Sequence, residues 1–166
     1  MYQRILVPLD GSKLAECVLP HVEEIAKGCK TEEVVLISVT ERLVGYRPPA
    51  EAPRVERVGQ LLTQDPIGRV PVSVGKKQRQ AERYLGRIAK RIQAKGVPVR
   101  CQVLMGNPPE EIASYAEESG VDLIVMASHG RSGPSRWAYG SVAEKVFRSS
   151  CVPVMMVRAP GCFPGL

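Results

Sequence analysis

Aromatic residues are scarce in this chain: they make up 5% of its 166 residues, whereas hydrophobic residues make up 44%. A hydrophobic fraction of this size excludes a disordered chain, so the core must be built mainly from Val, Leu, Ile and Ala. Such a core is typical of a parallel sheet buried between helices. The length predicts one domain, residues 1–160, followed by a loose tail over residues 161–166.

The chain also lacks a long apolar run. No run in the sequence is long enough to cross a membrane. The first apolar run, Ile5 to Leu9, is shorter than the core of a signal peptide and contains Pro8. We therefore expect a cytoplasmic protein without membrane insertion.

Cysteine spacing argues against a disulfide framework and against a zinc site. The five cysteines are scattered, their number is odd, and no CxxC pair occurs. We expect reduced thiols that behave as small apolar side chains. Cys162, in the Gly/Pro tail, is the thiol predicted to be exposed.

The phosphate-binding patterns GxxxxGK[ST] and GxGxxG are absent as well. Without the lysine and the magnesium ligand of the first pattern, the chain lacks the positive charge that normally stabilises the transition state of fast phosphoryl transfer. Slow hydrolysis remains an alternative. His129 has no second His or Cys near it in sequence, which favours a loop-ordering or ligand-adjacent imidazole over a general base. Ser128 and Ser132 have no evident base, so a serine nucleophile is not supported.

What the chain does contain is an alternation of strand and helix signals. Short apolar runs predict strands over residues 5–7, 34–39, 97–104, 121–127 and 152–157. Helical spacing predicts helices from Ser12 to Gly28 with a kink at Pro20, over residues 78–95, from Asn107 to near Gly120, and from a capping box at Ser141–Glu144. Strands separated by helices predict an α/β domain with a doubly wound, five-stranded parallel sheet.

Residues 41–74 interrupt this alternation. They contain five prolines and little sustained periodicity, which predicts a long insertion loop. A short helix over residues 55–62 stays open.

Two loops at the carboxyl ends of predicted strands are candidate ligand sites, because ligands bind at that edge of doubly wound sheets. The first is Pro8–Gly11, where Asp10 is also suited to a simple Asx turn. The second runs from Ser128 to Gly140 and leads into a helix whose free amides and dipole favour a phosphate group.

Several side chains of the second loop support this interpretation. Gly130 and Gly133 allow close approach of the backbone to a ligand, and Arg131 and Arg136 are candidates for charge pairing. Ser141 offers a hydroxyl, although the capping box competes for it. The alternative is a flexible turn that feeds a well-capped helix. Trp137 and Tyr139 either cover the ligand or pack against the sheet, and the sequence does not separate these.

The string MASHGRSGPSRWAYGSVAEKVFRSSCVPVMMV closely resembles the carboxyl-terminal signature of the universal stress protein (UspA-like) family. Nucleotide-binding members carry Gly, two residues, Gly, nine residues, then Gly with Ser or Thr. Gly130, the nine-residue gap and Gly140-Ser141 match this pattern, and Ala127 takes the place of the first Gly. The amino-terminal string ILVPLDGS also resembles the family, so the likeness covers most of the chain except residues 41–74 and the tail.

This resemblance implies strand order 3-2-1-4-5 in a three-layer sandwich of the adenine nucleotide alpha hydrolase type, with ATP, or AMP or ADP, bound between strands one and four. Pro8 and Asp10 would lie against the adenine, and Val39 would help to enclose it. Asp10 would also be able to face the ribose or a metal ion. Mg²⁺ is a possible second cofactor. The candidate nucleotide-binding residues are Pro8, Leu9, Asp10, Val39, Ala127, His129, Gly130, Arg131, Gly133, Gly140, Ser141 and Val142. The resemblance also implies a homodimer through the fifth strand, Val154–Val157.

The net charge of +6 permits an anionic ligand, a nucleic acid or a lipid surface and does not choose among them. A basic helix face is expected to be merely solvated, and no aromatic residues alternate with it for base stacking, so a nucleic-acid partner is not expected. Its residues are Lys76, Lys77, Arg79, Arg83, Arg87 and Arg91.

Three functions remain in order of preference. The first is a nucleotide-binding regulatory protein of the stress response that switches an unknown partner protein. The second is a slow ATPase or nucleotide hydrolase. The third is a nucleotide-free dimeric interaction module, suggested by Ala127 and by the proline-rich insertion.

Overall fold

The computed structural model describes residues 2–40, 72–129 and 140–158. Its strands are β1 Arg4–Pro8, β2 Glu33–Thr40, β3 Val99–Met105, β4 Leu123–Ala127 and β5 Val154–Val157. They form one sheet in the order β3-β2-β1-β4-β5, and every neighbouring pair is parallel. The predicted doubly wound parallel sheet and its strand order are confirmed.

Helices cover both faces of this sheet. They are α1 Leu19–Cys29, α2 Val72–Gln93, α3 Pro108–Glu118 and α4 Ser141–Ser149, with a short 3-10 helix over Ala15–Val18 before α1. Side chains alternate along β1: Ile5 and Val7 pack with α1 and α2, and Leu6 packs with α3 and α4. The result is three layers with a core on each side of the sheet.

The chain changes direction between β1 and β4. From β1 it proceeds outward through β2 to β3, and it then returns to β4 on the other side of β1. Ile5 lies between Val34 of β2 and Leu123 of β4. The carboxyl ends of β1 and β4 therefore meet at the switch point, where a crevice is expected.

The first predicted helix needed two corrections. The predicted helix is divided just before Pro20 into the 3-10 helix and α1, and Pro20 lies in the first turn of α1, where its missing amide hydrogen costs no helical bond. The helix runs past Gly28, and Lys30 provides the left-handed cap with a φ of 53°. The Lys30 amide bonds back to the carbonyl of Lys27, which offsets the strain of that conformation.

The boundaries of the insertion and of its following helix also differ from the prediction. α2 begins at Val72, so residues 72–74, which were predicted to belong to the insertion, are helical. It ends at Gln93, and Gly96, with a φ of 83°, completes the turn toward β3. Residues 55–62, for which a short helix was an alternative, lie outside the described residues. The tail and Cys162 lie outside them as well.

Two helix starts differ from the predicted caps. Asn107 makes no side-chain cap to α3, and its amide instead donates to the carboxylate of Glu110. At α4 the cap residue is Gly140, and Ser141 is the first helical residue rather than the cap. The capping box at Ser141–Glu144 is therefore not formed, and Glu144 pairs with Arg148 instead.

Two thiols are exposed that were predicted to behave as packed side chains. Cys101 lies on β3, an edge strand, and Cys151 lies in the turn before β5. Partial burial still raises the pKa of the Cys101 thiol. Across the described ranges, no helix is both long and apolar enough to cross a bilayer.

Candidate functional site

A cleft of about 1220 Å³ opens at the carboxyl edge of the sheet, above the switch point. Of the predicted nucleotide-binding residues it brings together Pro8, Leu9, Asp10, Val39, Ala127, His129, Gly140, Ser141 and Val142. Gly130, Arg131 and Gly133, together with Arg136, Trp137 and Tyr139, lie outside the described residues. Residues that are far apart in the sequence thus line one cleft.

The loop after β1 is held by its own polar groups. The Leu9 amide donates to the carbonyl of Ile37, 2.8 Å away, which extends the pairing of β1 and β2. Asp10 accepts the Ser12 amide at 2.9 Å through Oδ1, so the Asx turn is formed. Ser12 Oγ accepts the Ala15 amide at 3.1 Å. The Asp10 carboxylate therefore both shapes this loop and lines the cleft.

The loop after β4 begins and ends at one place. The Ser128 amide donates to the carbonyl of Val157 at 2.8 Å, and the Gly140 amide donates to the carbonyl of Ser128 at 2.7 Å. A Cβ on Gly140 would lie 3.1 Å from the Ser128 oxygen and 3.4 Å from the His129 Cα. Glycine at position 140 avoids this crowding where the two ends of the loop pass close together.

The amino end of α4 faces this cleft. The first bonded amide of the helix is that of Glu144, which donates to the Gly140 carbonyl at 3.0 Å. The amides of Ser141, Val142 and Ala143 precede it and have no acceptor within the helix. These three residues line the cleft. Since Ser141 caps nothing, its hydroxyl is not used by a capping box. Amides and dipole together favour an anion here.

Ser128 and His129 are buried in the wall of the cleft. Ser128 Oγ lies 3.1 Å from His129 Nδ1, and the two residues are 4% and 6% exposed. This contact fixes the orientation of the imidazole ring. The loop-ordering or ligand-adjacent role of His129 stays a prediction.

The sequence interpretation missed one wall of the cleft. The part of α2 up to Arg87 contributes Lys76, Lys77, Gln80, Ala81, Arg83, Tyr84 and Arg87. This set, called the α2 wall below, includes four residues of the basic face that was expected to be merely solvated. The chain enters α2 above the carboxyl ends of the strands, so its first turns stand beside the ligand edge of the sheet.

Tyr84 is the buried member of the α2 wall, at 8% exposure. Burial, and then the nearby carboxylates of Glu16 and Asp10, raise its pKa, whereas the Arg87 guanidinium opposes the rise. The Arg87 guanidinium carbon lies 5.8 Å from the centre of the Tyr84 ring. Tyr84 therefore stays protonated, and its hydroxyl can donate a hydrogen bond.

No group of three or more His, Cys, Asp or Glu side chains within residues 2–40, 72–129 and 140–158 is arranged to hold a metal ion. Asp10 is the carboxylate among the cleft residues. One carboxylate fits a Mg²⁺ ion that is held mainly by nucleotide phosphates, because Mg²⁺ commonly keeps one or two protein ligands.

The model of the universal stress protein family matches residues 1–158. The chain belongs to the universal stress protein family. Its match extends over the described strands and helices, so the sheet order and the cleft are those of a family member.

A curated relative is the universal stress protein MJ0577 of Methanocaldococcus jannaschii. It is 32% identical over 163 residues, which cover 95% of this chain and 96% of the relative. A solved structure of the MJ0577 protein superposes with a TM-score of 0.73 at 30% identity, covering 97% of this chain and 99% of that one.

Two more distant structures of the family contain adenine nucleotides. A universal stress protein in complex with cAMP has a TM-score of 0.59 at 19% identity, with coverage of 95% and 98%. A family protein from Arabidopsis thaliana with AMP bound has a TM-score of 0.60 at 14% identity, with coverage of 96% and 93%. At these identities the likeness shows the fold.

Proposed function

We propose that this protein binds an adenine nucleotide, ATP or its products ADP and AMP, in the cleft and uses its nucleotide state to switch a partner protein during stress. The observation that carries the proposal is the meeting of the β1 loop and the amino end of α4 in one cleft. The cAMP and AMP bound to two proteins of the same fold support adenine as the base.

The phosphate groups are placed at the amino end of α4. Ser141, Val142 and Ala143 line the cleft there, their backbone amides have no acceptor within the helix, and the helix dipole adds partial positive charge. The loop residues Gly130, Arg131 and Gly133 would complete this phosphate site. The short Gly140–Ser128 contact holds the helix start in position before the ligand arrives.

The adenosine part is placed over the ends of β1 and β2. Pro8, Ile37 and Val39 offer an apolar surface for the base, and the Asp10 carboxylate is near enough to the same cleft to accept ribose hydroxyl hydrogens. Asp10 would help to hold a Mg²⁺ ion that accompanies ATP, and the ion would supply positive charge beside the phosphates. These groups bind and orient a nucleotide; they also set where its phosphate chain points.

Ala127, which stands where nucleotide-binding relatives have glycine, is compatible with this pose. It is 8% exposed and packs in the core on the α1 and α2 side of the sheet. Ala127 also lines the cleft, where its single methyl group takes little of the ligand space.

We place the switch at a homodimer formed through β5 in the cytoplasm. β5 pairs only with β4 among the described strands, so its outer edge carries unpaired backbone groups. Val154, Met155 and Met156 on this strand are only partly buried. An apolar strand edge of this kind is stabilised by pairing with a second copy.

The test is to denature freshly purified protein and identify released nucleotide by chromatography and mass spectrometry. The Gly140→Val variant, whose side chain would collide with Ser128, is expected to lose the nucleotide. The matched control is Gly28→Val, because a Cβ at Gly28 meets nothing within 4 Å. An empty wild-type protein that also ignores added ATP and AMP would reject the proposal.

Turnover is measured in the same preparation. If wild type converts ATP to ADP faster than the Gly140→Val variant does, the slow hydrolase becomes the preferred function in place of the switch without hydrolysis. No conversion, with nucleotide bound, supports the switch.

A further inference from the structure

The α2 wall carries positive charge into the same cleft that holds the amino end of α4. Lys76, Arg83 and Arg87 line the cleft beside the β1 loop. The α2 wall stands on the α1 and α2 side of the sheet, and α4 covers the opposite side. The cleft therefore has two anion-attracting features, one above each face of the sheet.

Charge compensation changes along α2. Near the carboxyl end of the helix, Arg91 pairs with Glu16 at 3.5 Å, and Lys95, just after the helix, pairs with Glu23 at 2.5 Å. Lys76, Arg83 and Arg87 have no carboxylate within ion-pair distance in the part of the chain that the structure describes. Uncompensated cations that line a concave surface raise the local concentration of anions.

The Tyr84 hydroxyl is a second, independent observation. It is buried in the wall of the cleft, and no group within residues 2–40, 72–129 and 140–158 meets hydrogen-bond geometry with it. The Glu16 carboxylate is near but does not satisfy it in this way. A buried hydroxyl without a partner is costly, and a ligand oxygen in the cleft would remove that cost.

We propose that Lys76, Arg83, Arg87 and the Tyr84 hydroxyl form a second anion subsite, so that the cleft prefers adenine nucleotides carrying two separated phosphate groups. This inference rests on the proposed nucleotide binding and adds the substrate class. One phosphate group binds at the amino end of α4, and the other binds at the α2 wall. The cleft of about 1220 Å³ exceeds the range of roughly 300–1,000 Å³ that is usual for small-molecule pockets, which leaves room for the second group.

Two nucleotide types present this chemistry. Adenosine 3′,5′-bisphosphate carries its second phosphate on the ribose, and diadenosine tetraphosphate carries an extended phosphate chain that ends in a second adenosine. 5′-AMP is the reference with one phosphate group. If only adenosine 3′,5′-bisphosphate is preferred, the α2 wall binds a phosphate on the ribose. If only diadenosine tetraphosphate is preferred, the α2 wall binds part of a phosphate chain.

The test measures the Kd of these three nucleotides by calorimetry for wild type and for Lys76→Gln/Arg83→Gln. Wild type is expected to bind one of the two nucleotides with additional phosphate groups at least about tenfold more tightly than 5′-AMP, because the α2 wall adds charge-assisted hydrogen bonds that 5′-AMP does not reach. The double variant is expected to lose that preference and to keep its affinity for 5′-AMP.

The matched control is Arg79→Gln/Lys90→Gln, which removes two exposed cations of the same helix that do not line the cleft. It is expected to keep the preference. Tyr84→Phe keeps the buried ring. It is expected to weaken binding of the preferred nucleotide about tenfold and to leave the affinity for 5′-AMP unchanged.

Equal affinity of wild type for all three nucleotides would overturn the second subsite and leave the proposed nucleotide binding intact. An equal loss of this preference in the control and in the α2-wall variants would overturn the subsite too, because the preference would then depend on the overall positive charge of the protein. Failure of wild type to bind any of the three would overturn the second subsite, and a titration with ATP would then decide separately whether the proposed nucleotide binding stands.

Discussion

The Gly140 amide nitrogen lies 2.7 Å from the carbonyl oxygen of Ser128, so the chain that leaves β4 returns to its starting point before α4 begins. This bond places the free amides of the α4 amino end directly beside the carboxyl end of β4. It also brings the backbones so close that a single methyl group at position 140 would be crowded.

Gly140→Ala is expected to weaken ATP binding about tenfold, because the loop must move away from the helix start to relieve a 3.1 Å contact with the Ser128 oxygen. Calorimetric titration with ATP measures the change. Gly28→Ala, which meets open space, serves as the control and should match wild type. Equal affinities for the two variants would show that the close approach does not shape the site.

Asp10→Ala is expected to lower the free energy of unfolding by about 1 kcal/mol, because the hydrogen bond from the Ser12 amide is lost. Asp10→Asn keeps the acceptor and should lose clearly less. Urea unfolding followed by circular dichroism measures both. An equal loss in the two variants would mean that the charge of Asp10, rather than its Asx turn, stabilises this loop.

Tyr84 makes the stability of the protein sensitive to alkaline pH. Its pKa is raised in the folded state, so the folded protein holds this proton more tightly than the unfolded chain does. Its stabilising contribution is therefore complete below the ordinary tyrosine pKa of about 10 and falls as the pH rises above that value.

Urea unfolding at pH 8 and pH 11 is expected to show a smaller decline for Tyr84→Phe than for wild type. Tyr2→Phe, at an exposed position, is the control and should decline like wild type. The hydroxyl would be judged irrelevant to alkaline sensitivity if Tyr84→Phe declined as steeply as Tyr2→Phe.

Lys30→Gly is expected to stabilise the protein by about 0.5–1 kcal/mol, because glycine accepts the left-handed conformation at the end of α1 without strain. Lys27→Gly, three residues earlier and inside the helix, should destabilise it by about 1 kcal/mol. Thermal unfolding of the two variants measures the difference. A loss of stability in both would show that the Lys30 side chain contributes more than its backbone strain costs.

Local features of the sequence determined the sheet and part of the site. Apolar runs such as Val34–Val39 have one stable environment, the middle of a parallel sheet, so the strands and their alternation with helices could be predicted. The loops at the ends of β1 and β4 could be chosen as ligand sites because parallel strands all end at one edge. The family resemblance added the strand order.

Tertiary structure decided the features that depend on how distant segments meet. Cys101 is exposed because β3 is an edge strand, which its own residues do not reveal. Gly140 rather than Ser141 caps α4 because the Ser128 carbonyl fixes the chain at that point. The position and rotation of α2 over the sheet turned Tyr84 inward and aimed Lys76 and Arg83 at the cleft. Helical periodicity shows which residues share a face, but only packing against the sheet shows what that face meets.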